Sequence, residues 1–96
     1  MWQVETHTNG LLDSWRLEID AINQNILSLI AKRREIVKEI KTWKRTNGKP
    51  VVDAKREQQL LSDLLVKAVE HNLDPLLVIE VFVPIIRDSR ELQGES

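Results

Sequence analysis

Residues 12–43 read LDSWRLEIDAINQNILSLIAKRREIVKEIKTW, and this stretch decides the fold. Steps alternating between three and four pick out Leu12, Trp15, Ile19, Ile22, Ile26, Leu29, Arg33, Ile36, Ile40 and Trp43. Nine of these ten side chains are large and apolar, the signature of one long amphipathic helix with its stripe set against a partner. Arg33 breaks the pattern. A guanidinium keeps its proton at neutral pH, so a buried one requires an anionic partner. Lys44 stands eleven residues further on, which at 3.6 residues per turn is about 20° past three full turns. Two cations on one face of an otherwise apolar seam point to a pocket for a small anion.

The helix signals on either side are local. The polar Asn9-Gly10 precedes a start near Leu11, and Asn47-Gly48 followed by Pro50 ends the helix. Asp53 is a good N-cap for a second helix running to about Asn72, with Leu60, Leu61, Leu64, Leu65, Ala68 and Val69 on its inner side. Asp74-Pro75 places a cap before a proline at the first helical position and opens a third helix to about Gln93. Its apolar members are Leu77, Val78, Val81, Phe82, Ile85, Ile86 and Leu92. Pro84 lies inside that helix and predicts a bend, because it lacks an N–H and clashes with the carbonyl of Glu80. No stretch alternates as a strand does, so the fold class is all-α. Residues 1–10 read as a flexible N-terminal segment and 11–96 as one domain.

Composition removes several function classes. Hydrophobic residues make up 42% of the 96 and charged residues 30%, an ordinary globular balance. No apolar run reaches the roughly 18 residues that a membrane span requires. MWQVETHTNG has neither a basic nor an apolar signal-peptide region. With no cysteine there is no disulfide or thiolate metal site, which fits a cytoplasmic protein. His7 and His71 are too isolated to hold a metal. The net charge of −1 hides an imbalance: residues 32–56 hold ten Lys/Arg and three acids, a local +7, and residues 57–96 hold three and eight, a local −5. A basic block can mean nucleic acid. This one is interleaved with the apolar seam and has no suitably spaced stacking aromatics, so a solvated face with a few inward cations is the better reading.

Length predicts an oligomer. A helix of about 35 residues spans about 50 Å, whereas a compact chain of this size is only about 32 Å across. Two shorter helices cannot cover such a stripe and a second copy can. The expectation is three helices per protomer, one long and two shorter, in an intertwined helical homodimer.

Arg33 has polar companions. Ser89 and Gln93 extend the inner face of the third helix, and Asp53, Arg56 and Glu57 cluster within about one turn at the start of the second. Each has a plainer explanation alone: a cap for Asp53, a solvated helix start for Arg56 and Glu57, a terminal turn for Ser89 and Gln93, an exposed lysine for Lys44. Together they form ordered motifs: Leu-x-x-x-Arg at 12–16, Ile-Ala-Lys-Arg-Arg-Glu at 30–35, Lys44, Pro-Val-x-Asp at 50–53, Arg-Glu at 56–57, Ile-Ile-x-Asp-Ser at 85–89, and Gln93. From about Leu11 to Gln93 the chain resembles the all-helical (class II) chorismate mutases.

The resemblance implies a site. Arg33 and Arg56, with Arg16 of the other protomer, hold the two carboxylates of chorismate, and Ser89 assists. Lys44 and Gln93 hydrogen-bond the ether oxygen of the breaking C–O bond, while Glu57 and the backbone near Asp53 take the ring hydroxyl. Arg16 precedes Arg33 by seventeen positions, about 25 Å along a helix and about 100° round it. It cannot serve the same pocket in cis, which agrees with a site completed in trans. The conversion of chorismate to prephenate, a step toward phenylalanine and tyrosine, is an intramolecular [3,3] rearrangement. It uses no metal, cofactor or nucleophile, and the sequence offers no metal cluster, phosphate loop or nucleophile–base pair. Two rival functions share the fold. An isochorismate–pyruvate lyase keeps the cations but lacks the carboxylate at the Glu57 position and the serine at the Ser89 position. A non-catalytic dimerisation or regulatory module needs only the seam and gives no reason for Arg33, Lys44 and Gln93 to face inward.

Overall fold

A computed structural model describes residues 2–94, with side chains from residue 10 onward. Three helices follow in order: α1 (Trp2–Thr46), α2 (Ala54–Glu70) and α3 (Pro75–Leu92). No strand occurs among the described residues. The chain divides into two compact units between Lys32 and Arg33, so the two parts are described separately.

The first unit is helical, and its helix begins at Trp2, not near Leu11 as the Asn9-Gly10 pair suggested. Glycine inside a helix costs about 1 kcal/mol relative to alanine. It does not forbid the conformation as proline does. The seam residues of this unit are all exposed on the single chain, Trp15 at 54% and Leu29 at 65% among them. Arg16 is exposed too, with its guanidinium 4.0 Å from the carboxylate of Asp13 one turn earlier.

In the second unit the rest of α1 is joined by α2 and α3, which pack on one another. α1 ends as its sequence predicts. Gly48 takes φ +66°, and Lys49 N–H donates to the Lys44 carbonyl at 2.8 Å, closing the terminal turn. Asp53 caps α2, its carboxylate accepting from Arg56 N–H at 2.9 Å. A cap of this kind stabilises a helix by about 1 kcal/mol. Asn72 at φ +57° turns the chain out of α2, which ends at Glu70, two residues before the expected limit. Asp74 then caps α3 through Leu76 N–H at 3.0 Å, with Pro75 at the first position.

α3 continues through Pro84 without a break. Pro84 and Glu80 are both exposed, so water can serve the carbonyl that loses its N–H partner. Among the described residues only Val37, Ala68 and Val78 are buried, one from each helix. Leu60, Leu61, Leu64, Leu65, Phe82, Ile85, Ile86 and Leu92 are half-buried around them. Val69, Leu77 and Val81, read as inward-facing, are exposed on the single chain. Three buried side chains are too few to carry a domain of this length. Most of the apolar surface of α1 and the outer side of α3 is left uncovered.

Polar contacts join α1 to α3 on one side. Arg34 Nε donates to Asp88 Oδ2 at 3.0 Å, and Lys41 Nζ donates to the Leu92 carbonyl at 3.0 Å near the negative end of α3. The Arg34–Asp88 pair is well exposed, so it adds under about 1 kcal/mol. Its value is in fixing the register that brings Arg33 opposite Ser89.

Candidate active site

Three helix faces converge on one cavity of about 360 Å³ in the second unit. α1 contributes Arg33, Val37, Ile40 and Lys44, spaced four, three and four residues apart and therefore in line. Asp53 and α2 contribute Asp53, Arg56, Glu57 and Leu60, and α3 contributes Ile86, Ser89 and Gln93, again at helical spacing. Val37, Ile40, Leu60 and Ile86 make apolar walls. Three cations and two carboxylates face the space between them. A larger hollow of about 490 Å³ lies along α1 alone, lined by residues such as Lys38, Thr42 and Trp43. It brings together no side chains from different elements, so it is the weaker site.

Several polar groups in the cavity have a definite support. Arg33 Nη1 donates to Ser89 Oγ, and Ser89 Oγ donates in turn to the Ile85 carbonyl at 3.1 Å. The serine hydroxyl is thereby fixed as an acceptor for Arg33, and the guanidinium is held in place with further N–H groups available to a ligand. Lys44 Nζ donates to the Val51 carbonyl at 3.1 Å, which ties the end of α1 to the loop before α2. One N–H of the ammonium is used there, and the other two can serve a ligand. Glu57 accepts from Arg90 Nη2, a residue of α3. The backbone N–H of Gln93 closes the end of α3 on the Ser89 carbonyl at 3.1 Å, so Gln93 is held at the helix terminus with its side chain at the cavity.

Seven of the eight residues singled out in the sequence therefore line one cavity: Arg33, Lys44, Asp53, Arg56, Glu57, Ser89 and Gln93. Arg16 lies in the first unit, exposed and next to Asp13. Asp53 combines two positions, as cap of α2 and as part of the cavity wall. Arg90 was not anticipated. It follows Ser89 directly, and sequence alone gives no sign that its partner lies 33 residues earlier on α2.

This arrangement suits a small dianion. Two arginines in bidentate geometry can grip carboxylates. A lysine and an amide lining the same space can donate to a further oxygen between its apolar walls, where such donors act more strongly than in water.

A family model described as "Chorismate mutase type II" matches residues 15–94. A protein named bifunctional chorismate mutase/prephenate dehydratase, from Escherichia coli, is 37% identical over 84 residues, covering 88% of this chain and 22% of its own length. The protein of the same name from Enterobacter agglomerans is 35% identical over 74 residues, or 77% of this chain and 19% of its own. A protein named chorismate mutase, from Methanocaldococcus jannaschii, is 33% identical over 80 residues, covering 83% of this chain and 81% of its own length. The chain thus spans about a fifth of the bifunctional relatives and about four fifths of the last.

Proposed function

The chain belongs to the type II chorismate mutases, and from that premise we propose that it catalyses the [3,3] rearrangement of chorismate to prephenate. The observation that carries the proposal is the convergence of Arg33, Lys44, Arg56, Glu57, Ser89 and Gln93 on one apolar-walled cavity. The reaction breaks a C–O bond as a C–C bond forms within one molecule, so it needs a folded conformer and a stabilised ether oxygen. Arg33 and Arg56 hold the carboxylates and restrain the enolpyruvyl arm over the ring, which removes rotational freedom before the chemical step. Lys44 and Gln93 donate to the ether oxygen as negative charge grows on it. Glu57 accepts from the ring hydroxyl, with the backbone at Asp53 beside it.

The proposal includes a homodimer in which Arg16 of the partner subunit completes each site. It is supported by the apolar seam, exposed from Leu12 to Trp43 on the single chain wherever Arg33 does not interrupt it. Among the described residues no helix is long and apolar enough to cross a membrane. Residues 11–96 are proposed as the catalytic domain and the cytoplasm as its compartment. The test is to incubate the protein with chorismate and isochorismate side by side. Ultraviolet loss of chorismate, with a product that acid converts to phenylpyruvate, is the expected result. Release of pyruvate from isochorismate, with chorismate untouched, would replace the mutase by the lyase.

A further inference from the structure

We infer that Arg90 is a positioning residue for the proposed reaction, acting through Glu57. The inference rests on the mutase reading above. Arg90 Nη2 donates to Glu57 Oε1, joining α3 to the first turn of α2. Glu57 faces the cavity that holds Arg33, Lys44 and Arg56, whereas Arg90 lies behind it. A second hollow, of about 230 Å³, runs along that rear side, and Glu57 and Ile86 line both spaces. They form the wall between the two, and Arg90 lines only the rear one. A side chain so placed does not touch a substrate in the front cavity.

Two physical consequences follow for Glu57. A glutamate with three rotatable bonds beside three cations is drawn toward the nearest of them, and a Glu57–Lys44 or Glu57–Arg33 contact would occupy the groups meant for the substrate. A charge-assisted hydrogen bond from the rear holds one carboxylate oxygen away from them and leaves the other free for a ligand in the front cavity. The second consequence concerns charge. A dianionic ligand entering the cavity meets the carboxylates of Glu57 and Asp53, and a guanidinium against Glu57 offsets that repulsion without entering the space. The pair is half open to water, the side chains of Arg90 and Glu57 being 44% and 22% exposed, so it adds little to folding. Its weight falls on geometry.

A double-mutant cycle separates this role from a structural one. Arg90→Ala is expected to lower kcat/KM for chorismate about tenfold, and Arg90→Lys to restore part of the loss. In a Glu57→Ala background, Arg90→Ala should change kcat/KM by less than about twofold, because the group it acts through is gone. Circular dichroism accompanies each rate, and Arg90→Gln takes the place of Arg90→Ala in the cycle if that variant fails to fold. An equal loss in both backgrounds, or no loss in either, overturns the inference. Wild-type protein without mutase activity would sink the functional reading and this inference with it, whereas an active wild type with an equal loss in both backgrounds sinks this inference alone. The crystal structure of Arg90→Ala then decides: Glu57 turned toward Lys44 or Arg33 supports the positioning role, and an unmoved Glu57 ends it.

Discussion

Lys44 does two things at once, and a single substitution confuses them. Its ammonium faces the cavity and also holds the Val51 carbonyl, so Lys44→Ala removes a charge and frees a loop. Lys44→Ala is expected to lower kcat/KM by about 10²–10³, as loss of a donor to a developing oxyanion does. Lys44→Gln separates the causes: it can keep the bond to Val51 while losing the charge. A Lys44→Gln variant with normal circular dichroism and a rate near that of Lys44→Ala places the loss on charge, and near-normal turnover in Lys44→Ala would remove Lys44 from the ether oxygen. Gln93→Ala should act in the same direction but less, being a neutral donor. Asp53 calls for the same care. Asp53→Ala should lower stability by about 1 kcal/mol in thermal melts through loss of the α2 cap, while Asp53→Asn, itself a good cap, should melt near wild type.

At the level of elements, α3 contains a correctable flaw. Pro84 denies the Glu80 carbonyl its helical donor, and an interior proline costs about 3 kcal/mol relative to alanine. Pro84→Ala should therefore raise the melting temperature at fixed protein concentration, by an amount reflecting about 1–3 kcal/mol. A lower melting temperature would mean that the proline is needed for packing. What could be read in the sequence follows the range of the forces involved. Asp53, Asp74-Pro75 and Asn47-Gly48 announced their helix ends because caps and terminal turns close within four residues. Arg33, Lys44, Ser89 and Gln93 were legible because helical periodicity fixes which face a residue shares. The start of α1 was misplaced because glycine only weakens a helix and here does not end one. Arg90 was missed because its meeting with Glu57 depends on how α2 and α3 pack, which no local rule contains.

For the whole molecule, the uncovered seam sets the expected assembly. Sedimentation at micromolar concentration should give a species of about twice the 11.2 kDa chain mass, and a folded, active monomer would contradict it. The proposed sharing of sites gives a sharper test. Mixing Arg16→Ala and Arg33→Ala variants in equal amounts, with subunit exchange, puts half of the dimers in the mixed form, each with one intact site of two. About a quarter of wild-type activity should return, and no recovery despite proven exchange would count against the trans arrangement. The exposed seam has a further meaning for the life of the chain. With so few of the described side chains enclosed by a single copy, dilution should act on this protein as a denaturant does on others, and refolding should show second-order kinetics. In the proposed dimer each newly made chain would be a sticky intermediate until it meets another, so the rate of synthesis would govern how long that hazard lasts.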